Sequence, residues 1–129
     1  MFNHVFLAAI GGFFGTALRV IIGQTINTEI KTGFPWATLI INLSGSFIIG
    51  LLMALALKSD WWSGNGKYLL AIGFCGGFTT FSSLSLELFN LIQKGQYGLA
   101  LTYALLSLLL GVSFCVLGFF LAGGKSFIV

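Results

Sequence analysis

The sequence predicts an all-α, polytopic membrane protein of four transmembrane helices, too small in one copy to enclose a site and so built to assemble with itself. Three observations carry this reading. Of 129 residues, 57% are hydrophobic and 7% charged, whereas soluble domains carry about 25% charged residues. Eighteen glycines and fourteen phenylalanines occupy this short chain, and glycine is enriched in membrane helices because it lets backbones approach closely. Finally, four apolar segments are each long enough to cross a bilayer core about 30 Å thick, which takes about 20 helical residues.

The segments are taken in order as residues 5–26, 34–57, 67–92 and 97–121 of a single membrane domain, 1–129. The first is a retained helix rather than a secretory signal. Its leading residues Met1 to His4 lack Lys and Arg, and its apolar run exceeds the 7–15 residues of a signal core. Asn27 to Gly33 connects it to the second, where Pro35 sits at a helix start that tolerates proline. Lys58 to Gly66 leads to the third, and its Trp61 and Trp62 suit a membrane interface. Gln93 to Gln96 is a tight turn into the fourth, so the helices run up and down in alternation.

Loop charge sets orientation in the membrane. The side with both termini and the second connection carries Lys58, Lys67 and Lys125, and the opposite side Lys31 and Lys94. So small a bias suits insertion either way round, and two copies in opposite orientations form an antiparallel dimer, the two-chain counterpart of an inverted repeat. A single orientation is the alternative on charge alone.

Polar groups at membrane depth cost free energy and mark pairing or transport. Arg19, near the far end of the first helix, either snorkels to the interface or lines a pathway. Asn42 either ties helices together or lines a pore, and Gly45, Ser46 and Gly50 form a small-residue face for close packing. The run Gly73-Phe74-Cys75-Gly76-Gly77-Phe78-Thr79-Thr80-Phe81-Ser82-Ser83 in the third helix has glycines followed by hydroxyl residues, a pattern that predicts a break in mid-span. Irregular backbone at that depth must be buried in protein or line a cavity, and unwound carbonyls coordinate cations. Beyond it, Ser82, Ser83 and Ser85 beside Phe81 offer hydroxyls and a ring edge to an anion. Glu87 is either ionised in a watery vestibule or protonated and hydrogen-bonded in the bundle. Tyr103 and Ser107, four apart, share one face of the fourth helix.

No catalytic constellation is present. The single histidine is His4, there is no paired carboxylate and no phosphate-binding loop, so an enzyme is not expected. Cys75 and Cys115 fall in apolar segments and read as buried small hydrophobes. No nucleic-acid partner is expected.

These motifs resemble the Fluc (CrcB) fluoride channels of bacteria over the whole chain. The resemblance runs through Gly11-Gly12 to Arg19, Pro35-x-x-Thr38 to Asn42-x-x-Gly45-Ser46-Phe47, and Gly73-x-x-Gly76-Gly77-x-Thr79-Thr80-Phe81-Ser82 with Glu87. It implies a multi-pass protein of the bacterial cell membrane, an antiparallel dual-topology homodimer with two fluoride pathways that relieves fluoride toxicity by export. It also implies a structural sodium ion on the two-fold axis, held by carbonyls of Gly76 and Thr79. Along the fluoride pathway it places Asn42, Phe81, Ser82, Ser83, Tyr103, Ser107 and Glu87, with Arg19 structural. Two departures stand out: Leu84 occupies the place of the second phenylalanine of the family's aromatic box, and Gly111 and Cys115 replace hydroxyl residues of some relatives.

Apart from the resemblance, fluoride is small and strongly hydrated, so a narrow path must offer several donors at once; Asn42, the serines and ring edges supply them. Spacing alone does not exclude chloride or a small cation. A small dual-topology proton-coupled exporter of cationic compounds is the second reading, and it needs an acid embedded in the first helix, where this chain has Arg19. A structural membrane subunit without transport is the third.

Overall fold

The computed structural model describes residues 1–125 and is all helical; the last four residues of the expected 1–129 domain lie outside the described part. Among the described residues, four helices are long and apolar enough to cross a membrane: Phe2–Glu29, Trp36–Ala56, Lys67–Gln93 and Tyr97–Leu121.

The first helix, α1 (Phe2–Glu29), begins and ends three residues outside the expected 5–26. Its polar end stays helical because Thr25 and Thr28 donate back to the carbonyls of Ile21 and Gln24, at 2.9 and 2.8 Å. At 1.5 Å per residue it reaches roughly 42 Å, past the hydrocarbon core at both ends. Helix α2 (Trp36–Ala56) starts two residues after the expected Phe34, with Pro35 as its cap residue. The second connection holds a short helix, α3 (Asp60–Ser63), that carries both tryptophans, their rings edge to face at 4.9 Å.

The third span is composite. Lys67–Cys75 is a π-helix, Gly76–Phe78 (α4) is α-helical, and after the extended residues Thr79 and Thr80 the chain re-enters a helix, α5 (Phe81–Gln93). π-helical turns are rare and concentrate at functional sites; a uniformly apolar stretch gives no periodicity that tells one from an α-helix. The tight turn uses Gly95 at φ +71°, while Gln96 N–H donates to Leu91 O at 2.9 Å, and α6 (Tyr97–Leu121) follows.

Glycines set how these rods meet. Helix α1 packs on the π segment and α2 packs on α6. A Cβ at Gly11 or Gly15 would run into the backbone of Leu69 or Phe74, and one at Gly77 would lie 2.5 Å from Gly12 O. Likewise Gly50 lies against the Cys115 backbone, and Gly118 against that of Phe47. Gly45 serves a different neighbour, the Thr79 side chain. Near the turn end, Leu39, Leu91, Ala100 and Tyr103 form a buried cluster against which Phe34, Leu43, Leu84 and Leu88 pack. Phe13, Phe14, Leu101 and Leu108 point outward, as apolar faces do in lipid or against a second subunit.

Candidate functional site

The polar chemistry gathers around Thr79 and Thr80, where extended dihedrals (ψ 159° and 116°) release backbone groups from helical pairing. Several of these groups find side-chain partners. Asn42 clamps Thr80 from both sides: its Oδ1 accepts from Thr80 N–H at 2.8 Å and its Nδ2 donates to Thr80 O at 3.1 Å. Gly77 O accepts from Arg19 Nε at 3.0 Å and from Thr16 Oγ1 at 3.4 Å. Among the described residues, no hydrogen-bond donor reaches the carbonyls of Gly76 or Thr79. The free end of α5 is capped by Thr80, whose Oγ1 accepts from Ser83 N–H at 3.1 Å.

Arg19 therefore does not snorkel towards the loop. Its guanidinium turns inward to a carbonyl of the third span, a charge-assisted bond of the stronger kind. Asn42 ties two elements together, and it also faces an open space.

That space is a groove of about 420 Å³ between α2, the π segment and the start of α5. It is lined by Asn42, Gly76, Thr79, Phe81 and Leu84, among others. Phe81 is 81% exposed, so its ring is left uncovered. Leu84 lines the groove and also packs on the buried cluster around Tyr103, which gives this side chain a role in the core.

Other expected site residues lie elsewhere. Ser83 and Glu87 sit on another face of α5, in a crevice of about 240 Å³ shared with Arg19 and Thr38. Both Glu87 oxygens are occupied: Thr38 Oγ1 donates to Oε1 at 2.6 Å and Tyr103 OH to Oε2 at 2.7 Å. Tyr103 is fully buried. The Ser107 hydroxyl is buried as well and has no partner among the described residues. Ser82 is exposed, with its Oγ 3.2 Å from Thr80 Oγ1.

Thr38 and Thr80 are the site residues to which sequence reasoning gave no role. Thr38 stands one turn before Asn42 on α2, and Thr80-x-x-Ser83 has the spacing of a helix cap; both signals were in the chain. Cys75 is buried and Cys115 half-buried, and both are free. Among the described residues no group of three His, Cys, Asp or Glu side chains converges to hold a metal, so any cation bound here would be held by backbone or hydroxyl oxygens.

Comparison with known proteins follows the same residues. The CrcB-like protein family (camphor resistance, CrcB) matches residues 6–119. A protein of Thermus thermophilus named fluoride-specific ion channel FluC is 47% identical over 117 residues, 91% of this chain and 93% of the relative. One of the same name from Azobacteroides pseudotrichonymphae is 41% identical over 121 residues, 94% of this chain and 97% of the relative. Another, from Leptospira interrogans, is 39% identical over 116 residues, 90% and 91% of the two chains. Matches of this extent cover every residue of the groove and the crevice, and this chain belongs to the CrcB family, a family of bacterial multi-pass membrane ion channels rather than enzymes.

Proposed function

We propose that the protein is a fluoride-selective channel that lets fluoride leave the cell and so relieves its toxicity. The observation that carries the reading is the groove in which Asn42, Thr80 and the uncovered ring of Phe81 meet, in a chain with FluC relatives over nine-tenths of its length. The amide donor, the neighbouring hydroxyls and the positive ring edge suit a small anion that must exchange its water shell for several donors.

The working unit is an antiparallel dual-topology homodimer. Three lysines against two across the loops support it, as does a groove that is only half a conduit, open along the side where Phe81 and Gly76 face outward. The interruption at Thr79 and Thr80 is then the break of the third helix, meeting its counterpart at the two-fold axis.

A sodium ion there would be held by the carbonyls of Gly76 and Thr79 from both subunits. What supports this is the division of labour among the carbonyls: those of Gly77 and Thr80 are engaged by Arg19 and Asn42, while those of Gly76 and Thr79 meet no donor among the described residues. A Cβ at Gly76 would meet nothing within 4 Å, which leaves room for a second copy. Hard cations take such oxygen ligands, and the ion would fix the two subunits where their backbones are irregular.

The exporter of cationic compounds is not favoured. Helix α1 does end on an acid, Glu29, but that residue is exposed at the loop end rather than embedded.

The test is fluoride efflux from loaded liposomes, followed with a fluoride electrode. Wild-type protein should empty them, and Phe81→Ile and Asn42→Asp should each abolish efflux. Normal efflux from both variants would remove the groove from the pathway, and no wild-type efflux would refute the channel.

A further inference from the structure

At the end of the bundle away from the tight turn, α2, the π segment and α3 bound a groove of about 260 Å³. Its walls are apolar, Ile49, Met53 and Ile72 among them, and its mouth carries Trp62 and Lys67. The exposed flanks of Ile49, Met53 and Ile72 leave it open to the side. From Ala56 down to Ile49 it follows α2 for about two turns, roughly 10 Å, or a third of the hydrocarbon core.

The mouth pairs an aromatic ring suited to the headgroup level with an unspent charge. Lys58, at the same end, donates to Ala122 O. Lys67 is exposed, has no protein acceptor among the described residues, and forms no ion pair with Asp60, the acid of the same connection. An apolar slot beneath an unpaired cation, at the level where lipid headgroups lie, is complementary to an amphiphile with a hydrocarbon chain and a negative head. We propose that the groove holds one acyl chain of an anionic phospholipid, with the phosphate on Lys67 Nζ and Trp62 beside the glycerol backbone. A second copy of the chain is the poorer occupant. In opposite orientation it would bring its turn end to this level, where Lys31 and Lys94 outnumber one exposed acid, Glu29, and repel Lys67. In the dimer proposed above, the arrangement puts one such lipid in each leaflet, whatever ion the protein conducts.

Brominated lipids test this, because bromine on an acyl chain quenches a tryptophan it touches. With Trp36→Phe and Trp61→Phe, Trp62 is the sole reporter. In phosphatidylcholine vesicles, a minor fraction of brominated phosphatidylglycerol should quench Trp62 several-fold more than the same fraction of brominated phosphatidylcholine. Lys67→Gln should abolish this excess, and so should Ala56→Phe, which fills the groove and keeps the charge, while Lys31→Gln at the opposite end should leave it. The excess should shrink at high ionic strength. Wild-type protein should likewise retain phosphatidylglycerol over phosphatidylcholine in native mass spectrometry. Weak and equal quenching by both lipids would overturn the proposal and indicate that a second copy covers the groove. An excess that survives Ala56→Phe would reduce the effect to attraction of anionic lipid to a basic loop, and one that survives Lys67→Gln would remove the phosphate contact; either refutes the site, as does the absence of any preference in the wild-type spectra.

Discussion

The two halves of the third span are held by different physics. Before Thr79 the chain meets α1 backbone to backbone, with Gly11 and Gly15 against Leu69 and Phe74, and Gly73 and Gly77 against Ala8 and Gly12. After Thr80 it is held by side chains: the Asn42 clamp, the Thr80 cap, and Glu87 between Thr38 and Tyr103. The first half is a fixed rail along its contact with α1, where a Cβ at Gly73 or Gly77 would strike backbone. The second is adjustable, since hydroxyls and amides exchange partners at modest cost, and it carries Phe81 and the serine hydroxyls suited to an anion.

The sharpest way to break this contrast is to add volume to the rail. Gly15→Val would drive its side chain into the Phe74 backbone, and with no flexible neighbour to yield, the cost should exceed about 3 kcal/mol. Its signature is loss of a monodisperse peak on size exclusion. Gly98→Ala, where a Cβ meets nothing within 4 Å, should behave as wild type. A well-behaved Gly15→Val protein would mean that the rail yields after all.

In the second half, Asn42→Leu should cost about 2–3 kcal/mol by orphaning the Thr80 N–H and C=O, read as a lower unfolding temperature. The protein should still be recoverable. Thr80→Ala should cost least, about 1 kcal/mol for a lost cap, and Thr80→Ser should restore most of it. If either variant proved as damaging as Gly15→Val, the distinction between rail and adjustable half would fail.

Much of this was legible in the chain. Four spans, the short connections and the glycine faces follow from composition and spacing, because the bilayer fixes helix length and close approach demands small residues. The spacing of Ser83 and Glu87, i and i+4, against Phe81 and Leu84, i and i+3, already separates two faces of α5. The pathway implied by the resemblance draws on both faces, through Phe81 on one and Ser83 and Glu87 on the other. Three things lay beyond sequence reasoning. The π-helix over Lys67–Cys75 leaves no trace in a stretch where nearly every position is apolar or small. The inward turn of Arg19 depends on Gly77, 58 positions away. The partner of Asn42 is a backbone unit, so no matching side chain announces it.

The Asn42 clamp bears on how the protein comes to exist. Its amide meets the N–H and C=O of one residue, much as a neighbouring strand would, so the Thr80 backbone groups are satisfied within a single newly inserted chain. Each chain can thus leave the insertion machinery with Thr80 already tied to α2. In the dimer proposed above, assembly would then be a docking of preshaped halves, its rate set by encounter in the membrane rather than by refolding at the two-fold axis.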